Sequence, residues 1–333
     1  MKGVYTEKIR DINHINKLKS VLESINVTLS QQIHIERFHD NGEGVDRTYN
    51  VYKIIADDQI YILKKSDEYE VEVYEKFLED KNLPVPKLEG WAYISNVRWI
   101  LIEYIAGTDL RIFNEDMAYG CADSLSRIFN MYWQENDFKD NKLDNRFERY
   151  WTRINKRSKC LINEPKLSSA YGVFLDRQLV CPRTLCNGDF LQCNTIEGNE
   201  GIVLIDWAFA GIMPYSLDIA RLISHGSEKF FPFPFYMTDE YREIFLKSLY
   251  DKLLYKPDYK QFVWDVTLSR LNECVEFIES ELNDESIERD EVFTYYYKNA
   301  EALADIILNG KEQLNLYMNI TYKENILDEF FLK

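Results

Sequence analysis

Histidine is scarce in this chain. Among 333 residues there are four histidines and six cysteines, and the cysteines, at 121, 160, 181, 186, 193 and 274, contain no C-x-x-C pair. That spacing argues against a structural zinc site. The shortage of histidine argues against a Ser-His-Asp or Cys-His hydrolase, and His225 has no nucleophile motif beside it. The apolar stretches are too short to span a bilayer, and no N-terminal run has the form of a signal peptide. Repeats and low-complexity tracts are absent, so a solenoid is not indicated. There is also no G-x-G-x-x-G and no Walker lysine. Basic charge is in deficit: 40 Lys and Arg stand against 56 Asp and Glu, for a net charge of −16. Such a chain is a poor partner for nucleic acid or for an anionic membrane. The expectation is a cytoplasmic protein, its six cysteines reduced.

What is present has the makeup of an enzyme with more than one core. The length allows about two domains. Ile9, Ile12, Ile15, Leu18, Leu22 and Ile25 mark one face of an amphipathic helix. Strands are predicted over 33–38, 49–55 and 59–64, the last two flanking Asp57-Asp58 as a hairpin, and further strands over 91–94 and 99–104. Val71, Tyr74, Phe77 and Leu78 recur at helical spacing, and Pro84 and Pro86 end that helix. After Gly107 the periodicity is mainly helical. The division is therefore drawn there: residues 1–107 as a β-rich N-terminal domain and 108–333 as a helical C-terminal one.

The chemistry-bearing stretch is Asn187-Gly188-Asp189-Phe190-Leu191-Gln192-Cys193-Asn194, followed by the apolar run from Gly201 to Ile205 and then Asp206-Trp207. Phosphoryl transfer needs positioned groups and charge neutralisation more than covalent chemistry. Mg²⁺ takes oxygen ligands, of which protein commonly supplies one or two. Asn194 and Asp206 are oxygen donors of that kind, and Asp189, after a glycine that permits a sharp turn, can accept the proton of a hydroxyl.

These fragments, with Leu217-Asp218-Ile219-Ala220 a dozen residues on, resemble the H-G-D-x-x-x-x-N, D-W and D-L-A motifs of the aminoglycoside phosphotransferase and choline kinase-like family. The resemblance implies an α+β, bilobal protein-kinase-like fold with a small antiparallel sheet in the N-terminal lobe and a larger helical C-terminal lobe. It implies Asp189 as catalytic base, Asn194 and Asp206 as Mg²⁺ ligands, and Asp218 with Asn187 as braces of the catalytic loop. Lys64 and Glu70 look like the lysine and glutamate that kinases pair over the phosphates, with Lys65 and Glu72 as alternatives. The segment 101–108 resembles the hinge that holds the nucleobase, placing Glu103 and Ile105 there. The phosphate-covering loop falls at 40–47, where Gly42 and Gly44 lie among acidic residues and Glu43 and Asp46 are expected to face solvent.

The implied function is transfer of the γ-phosphate of ATP or GTP, with Mg²⁺, to a hydroxyl of a small cationic molecule. An aminoglycoside-type antibiotic leads; choline or ethanolamine, a sugar and homoserine are alternatives. Between Asp265 and Lys333 sixteen acidic residues stand against six basic ones, so Glu273, Glu276 and Glu279, on a helix expected over 266–281, are candidate contacts for a cation or else a solvated face. The aromatic runs 230–236 and 295–297 are read as a cation–π wall or as packing. The family pattern is departed from at Asn187, where it has histidine, at Ala208 after the Asp-Trp pair, and at 125–129 in place of its L-x-x-L-H helix end. These departures leave a second class open: a catalytically silent binding protein of the same fold. Donor base, acceptor hydroxyl and oligomeric state are not read from these residues.

Overall fold

The computed structural model describes residues 4–25, 33–41, 46–79, 81–134, 145–226, 237–284 and 286–310 and, of 145 and 146, the backbone only. These residues separate into two compact units. One holds the described chain up to Arg111 together with Asn187–Ala210; the other holds Ile112–Cys186 and the described residues from Gly211 onward.

The first unit is built on a six-stranded antiparallel sheet, in the order β1 (Val4–Lys8), β2 (Ile33–Asp40), β3 (Arg47–Ala56), β4 (Gln59–Ser66), β6 (Val97–Glu103), β5 (Leu88–Ile94). Strand alternation decides what each side chain meets. Tyr52, Ile54, Tyr61 and Leu63 point to one face, where they join Leu18, Val21 and Leu22 of helix α1 (Ile12–Ser24) in a single core with Trp99 and Leu101. Lys64, one residue past Leu63, is thereby sent to the opposite face. The β3–β4 turn is the two residues Asp57-Asp58, with Asp57 at φ 53°, and the β5–β6 turn places Ser95 and Asn96 at φ 51° and 61°, the left-handed pair of a type I′ turn.

Two local expectations change. The N-terminal helix does not run from Ile9 to Ile25. It starts at Ile12, capped by the Asp11 side chain on the Asn13 N–H, and Ile12 is 62% exposed; Val21 takes a place in the buried stripe instead. Val4–Lys8 forms an edge strand, from Val4 opposite Asp40 to Lys8 opposite Glu36, because β2 offers it an unpaired edge. The helix after β4 is α-helical only over Glu68–Val73 (α2), capped by Asp67, and widens to a π-helical turn over Tyr74–Leu78.

A division near residue 107 would assign 187–210 to the helical part, yet this segment packs with the first unit. There β7 (Gly107–Asp109), β9 (Thr195–Gly198) and β10 (Gly201–Leu204) make a three-stranded sheet in the order β10-β9-β7. Leu204 N–H donates to Pro84 O at 2.9 Å and Leu110 N–H to Gln192 O at 3.0 Å. Gly107 is required by this contact: a Cβ there would stand 2.1 Å from Glu197 O.

Among its described residues the second unit is helical apart from an antiparallel pair, β8 (Arg183–Cys186) against β11 (Gly211–Pro214), strands that are separated in sequence by residues 187–210. Its helices are α3 (Glu115–Tyr132), α4 (Asn145–Arg157), α5 (Pro165–Gln178), α6 (Ser216–Ile223), α7 (Asp239–Lys252), α8 (Tyr259–Asn283) and α9 (Glu291–Asn309). Asn114, Thr238, Asp258 and Asp290 cap four of them. Phe262, Leu271, Val275 and Ile278 of α8 and Tyr296, Ala300, Leu303 and Ala304 of α9 are buried. The aromatic run at 295–297 is packing: Tyr296 stacks on Phe277 with centroids 4.4 Å apart, and Tyr297 donates to Glu164. The run at 230–236 and Gly42, Glu43 and Gly44 lie outside the described residues. Among the described residues no helix is long and apolar enough to cross a membrane.

Candidate active site

The first unit gathers seven polar side chains from three stretches of sequence: Lys64, Ser66 and Glu70, then Asn187, Asp189 and Asn194, then Asp206. Lys64 Nζ lies 2.8 Å from Glu70 Oε1 and 2.8 Å from Asp206 Oδ1. Glu70 is 1% exposed, and its second oxygen accepts from Ser66 Oγ at 2.7 Å. Ser66 follows Lys64 by two residues and so shares its strand face. The cap that starts α2, Asp67 Oδ1 on the Glu70 N–H, sets where Glu70 falls on the helix. Burial opposes the charge on Lys64, but the two carboxylates outweigh it and hold its pKa above the ordinary lysine value. The alternatives are placed elsewhere: Lys65 lies over the Trp99 ring, and Glu72 pairs with Lys76 at the surface.

Asp189 and Asn194 face each other across a short 3₁₀ turn. Asn194 Nδ2 donates to Asp189 Oδ2 at 2.8 Å and to Asp189 O at 2.9 Å. The amide therefore holds one carboxylate oxygen in place while, among the described residues, its own Oδ1 receives the Cys193 thiol, at 3.7 Å. Gly188 makes this geometry possible: its φ is 80°, and a Cβ would stand 2.2 Å from Phe209 O. Asn187 ties the two halves of the site together. Its Oδ1 accepts from the Asp189 N–H, and its Nδ2 donates to Ile205 O and Asp206 O at 3.2 and 3.1 Å. An amide can make all three contacts because it is donor and acceptor at once.

Asp206 adopts φ 56°, a left-handed conformation uncommon for a residue with a Cβ. The fully buried Trp207, whose Nε1 donates to Leu204 O, anchors the chain just after it. The Asp206 side chain is 45% exposed, and among the described residues its Oδ2 has no hydrogen bond. Asp206 Oδ2 and Asn194 Oδ1 are thus hard oxygen atoms not committed to a strong internal bond, the donor type that fits Mg²⁺.

Residues 44–251, more than half of the chain, match the family described as the phosphotransferase enzyme family. The chain belongs to that family. No curated protein sequence matches this phosphotransferase. Among solved structures it is similar to the choline kinase LicA of Streptococcus pneumoniae, at 16% identity and TM-score 0.54, covering 88% of this chain and 99% of the other. It is also similar to an aminoglycoside phosphotransferase of Alicyclobacillus acidocaldarius, at 11% identity and TM-score 0.57, over 90% and 96%. A third is the spectinomycin phosphotransferase APH(9)-Ia in complex with ADP and spectinomycin, at 15% and 0.52, over 90% and 99%. The α+β fold is the protein-kinase-like one.

The remaining sequence candidates of this phosphotransferase fall in several places. Glu103 closes β6: its N–H donates to Lys87 O and its carboxylate accepts the Lys87 N–H. Ile105 packs over the Gly198 turn. Asp218 is in the second unit, buried in the first turn of α6, where its charge acts on the Cys186 thiol. Burial holds the Cys186 and Cys193 thiols high, Cys193 at about 12, and both are free.

The three glutamates of α8 correct a sequence expectation. They are neither a solvated face nor open carboxylates. Glu273 is buried and bonded by Arg221 at 2.8 Å, while Arg157, itself buried, reaches Glu276 at 2.7 Å and Glu279 at 3.0 Å. Arg157 also donates to Asn272, which Tyr171 contacts as well. The i, i+3 spacing does mark one helix face, but arginines from α4 and α6 occupy it.

Ser66 and Tyr74 were not singled out from sequence as site residues. Ser66 had a signal, since strand period two places it beside Lys64. Tyr74 was legible only as an apolar helix position.

Proposed function

We propose that this phosphotransferase carries the γ-phosphate of a nucleoside triphosphate to a hydroxyl of a small cationic molecule, an aminoglycoside-type antibiotic being the leading candidate. The observation that carries the reading is the Asn194 amide clasping Asp189 Oδ2 while Lys64 joins Glu70 to Asp206 in the same unit. A base is oriented, a cation is held ready, and uncommitted oxygens stand beside them.

In this reading Asp189 orients the acceptor hydroxyl and takes its proton as the oxygen bonds to the γ-phosphorus and the bond from that phosphorus to the β-phosphate oxygen breaks. Lys64, kept charged and aligned by Glu70, binds the phosphates. Asn194 Oδ1 and Asp206 Oδ2 would hold Mg²⁺, which supplies neutralisation of the phosphate charge. Asn187 braces the loop, and the backbone at Glu103 and Ile105 receives the nucleobase. ATP as donor is supported by the ADP bound in the similar spectinomycin phosphotransferase, with GTP as the alternative. A cationic acceptor is supported by the net charge of −16 and by the acceptors named for the similar structures, which are cations at neutral pH. It does not rest on the α8 glutamates, whose charge is matched by Arg157 and Arg221.

The test is nucleoside diphosphate release with Mg²⁺ and ATP or GTP, across spectinomycin, a deoxystreptamine aminoglycoside, choline, a neutral hexose and homoserine. Turnover is expected on a cationic aminocyclitol. Turnover confined to the hexose or homoserine rejects the cationic acceptor. Nucleotide binding with no turnover on any acceptor points to a silent binding protein.

A further inference from the structure

The site contains one polar group that the roles above do not use. Tyr74 is 1% exposed, and among the described residues its hydroxyl has no hydrogen-bond partner. A buried hydroxyl without a partner is rare in a folded protein, and phenylalanine would fill the same space without that cost. Tyr74 lies four residues after Glu70, on the same face of the helix, and at Tyr74 the helix changes from α to π, an irregularity often found at functional sites. Its hydroxyl lies in the field of both Glu70 and Asp206, and burial together with those charges keeps it protonated. It is a buried donor one helical turn from Glu70, and the two carboxylates whose charge it feels are already served by others: Ser66 and Lys64 on Glu70, and Lys64 on Asp206 Oδ1.

We infer that Tyr74 is a positioning residue for Asp206, donating its hydroxyl hydrogen to the Asp206 carboxylate when the Lys64 ammonium turns to the nucleotide phosphates. The inference rests on the function proposed above, because only a bound polyphosphate draws Lys64 away from Asp206. In the ligand-free chain Lys64 neutralises Asp206 and Tyr74 is idle. With nucleotide bound, Asp206 Oδ1 loses its donor while the carboxylate must keep its orientation. A neutral donor suits that moment, since a second ammonium would compete with a divalent ion for the same charge.

The test is Tyr74→Phe, followed by thermal unfolding of the full chain without ligand and across a Mg²⁺ titration at fixed ATP. The ligand-free variant should melt at the same temperature as the native chain or higher. Its half-saturating Mg²⁺ concentration should rise about tenfold, the scale of one hydrogen bond to a charged group, and kcat should fall with little change in acceptor KM. Native Mg²⁺ dependence and native kcat in the variant overturn the inference, since a merely packed ring would give that result. A lower melting point without ligand also overturns it, because the hydroxyl would then have a partner at rest. Should Tyr74→Phe be unstable, Tyr74→Met repeats the same readouts with the hydroxyl gone. If the native chain itself shows no shift with Mg²⁺ and nucleotide, the proposed function fails, a result distinct from a native shift that the variant shares.

Discussion

The candidate site of the first unit of this phosphotransferase and the α8 cluster of the second treat their carboxylates in opposite ways. In the first, Asp189 and Asp206 are steadied by amides and by one ammonium, with Asp206 half exposed and one of its oxygens uncommitted. In the second, Glu273, Glu276, Glu279 and Asp265 are met by guanidinium groups: Arg221, Arg157 and, with two hydrogen bonds, Arg177. The Asp265 carboxylate also takes Tyr215 and Gln261. Burial opposes ionisation in this cluster; Arg157 and Arg221 overcome it at Glu276 and lower its pKa, whereas at the more deeply buried Glu273 desolvation prevails and raises it. A carboxylate whose charge is matched inside the fold stabilises the fold. One held by neutral amides keeps its charge available to a ligand.

The sharpest way to break this contrast is Asp189→Asn. Turnover should fall about a thousandfold or more while the melting shift caused by nucleotide persists, since the proposed role of Asp189 is toward the acceptor hydroxyl and not toward the phosphates. Near-native turnover would remove Asp189 from the role of base. Asp206→Ala should abolish the Mg²⁺ dependence of nucleotide stabilisation, measured by the same melting assay; an unchanged dependence relocates the metal site.

In the second unit the expected loss is in stability. Arg157→Met leaves Glu279 without the Arg157 guanidinium and Glu276 with the longer Arg221 contact at 3.7 Å, and urea unfolding should show a loss of about 3 kcal/mol, with acceptor KM little changed among molecules that remain folded. A stable variant with altered KM for cations would return those glutamates to the substrate.

The effect that is smallest near neutral pH concerns a buried histidine. Burial, aided by Arg221, depresses the His225 pKa from 6.5 to about 3, while its Nδ1 shares a hydrogen bond with the Tyr296 hydroxyl. The unfolded chain then binds a proton below pH 6.5 that the folded chain refuses down to about pH 3. Stability from this group is complete above the unfolded value and lost on acidification, with a slope of up to about 1.4 kcal/mol per pH unit. His225→Phe should flatten the acid limb between those values in urea melts at stepped pH; an unaltered slope would mean that His225 is protonated in the fold.

Much of the first unit was legible because its signals are local. Alternating β-branched and aromatic residues mark the β3–β4 hairpin, and the Asx-rich spacing at 187–206 marks the site's residues. Less legible were features that depend on a neighbour. Val4–Lys8 is a strand because β2 has an open edge, and Ile12 is exposed because Asp11 starts the helix there. The segment 187–210 joins the first unit through backbone bonds to residues such as Pro84 that no periodicity announces. The α8 glutamates were misread for the same reason: the arginines that claim them stand 52 residues away at Arg221 and 122 at Arg157.

The sequence by itself determined the kinds of groups available: an acidic chain with few histidines, an Asp, an Asn and a second Asp at fixed spacing, and a lysine at the end of a strand. Strand period two even determined that Lys64 and Leu63 face opposite ways. Only the tertiary structure decided which carboxylates stay available and which are neutralised, and that Tyr74 is buried with its hydroxyl unmatched among the described residues. Side-chain identity is a property of one position, but the state of a charge depends on its distance to other charges and to water, and in this chain the folded backbone sets both.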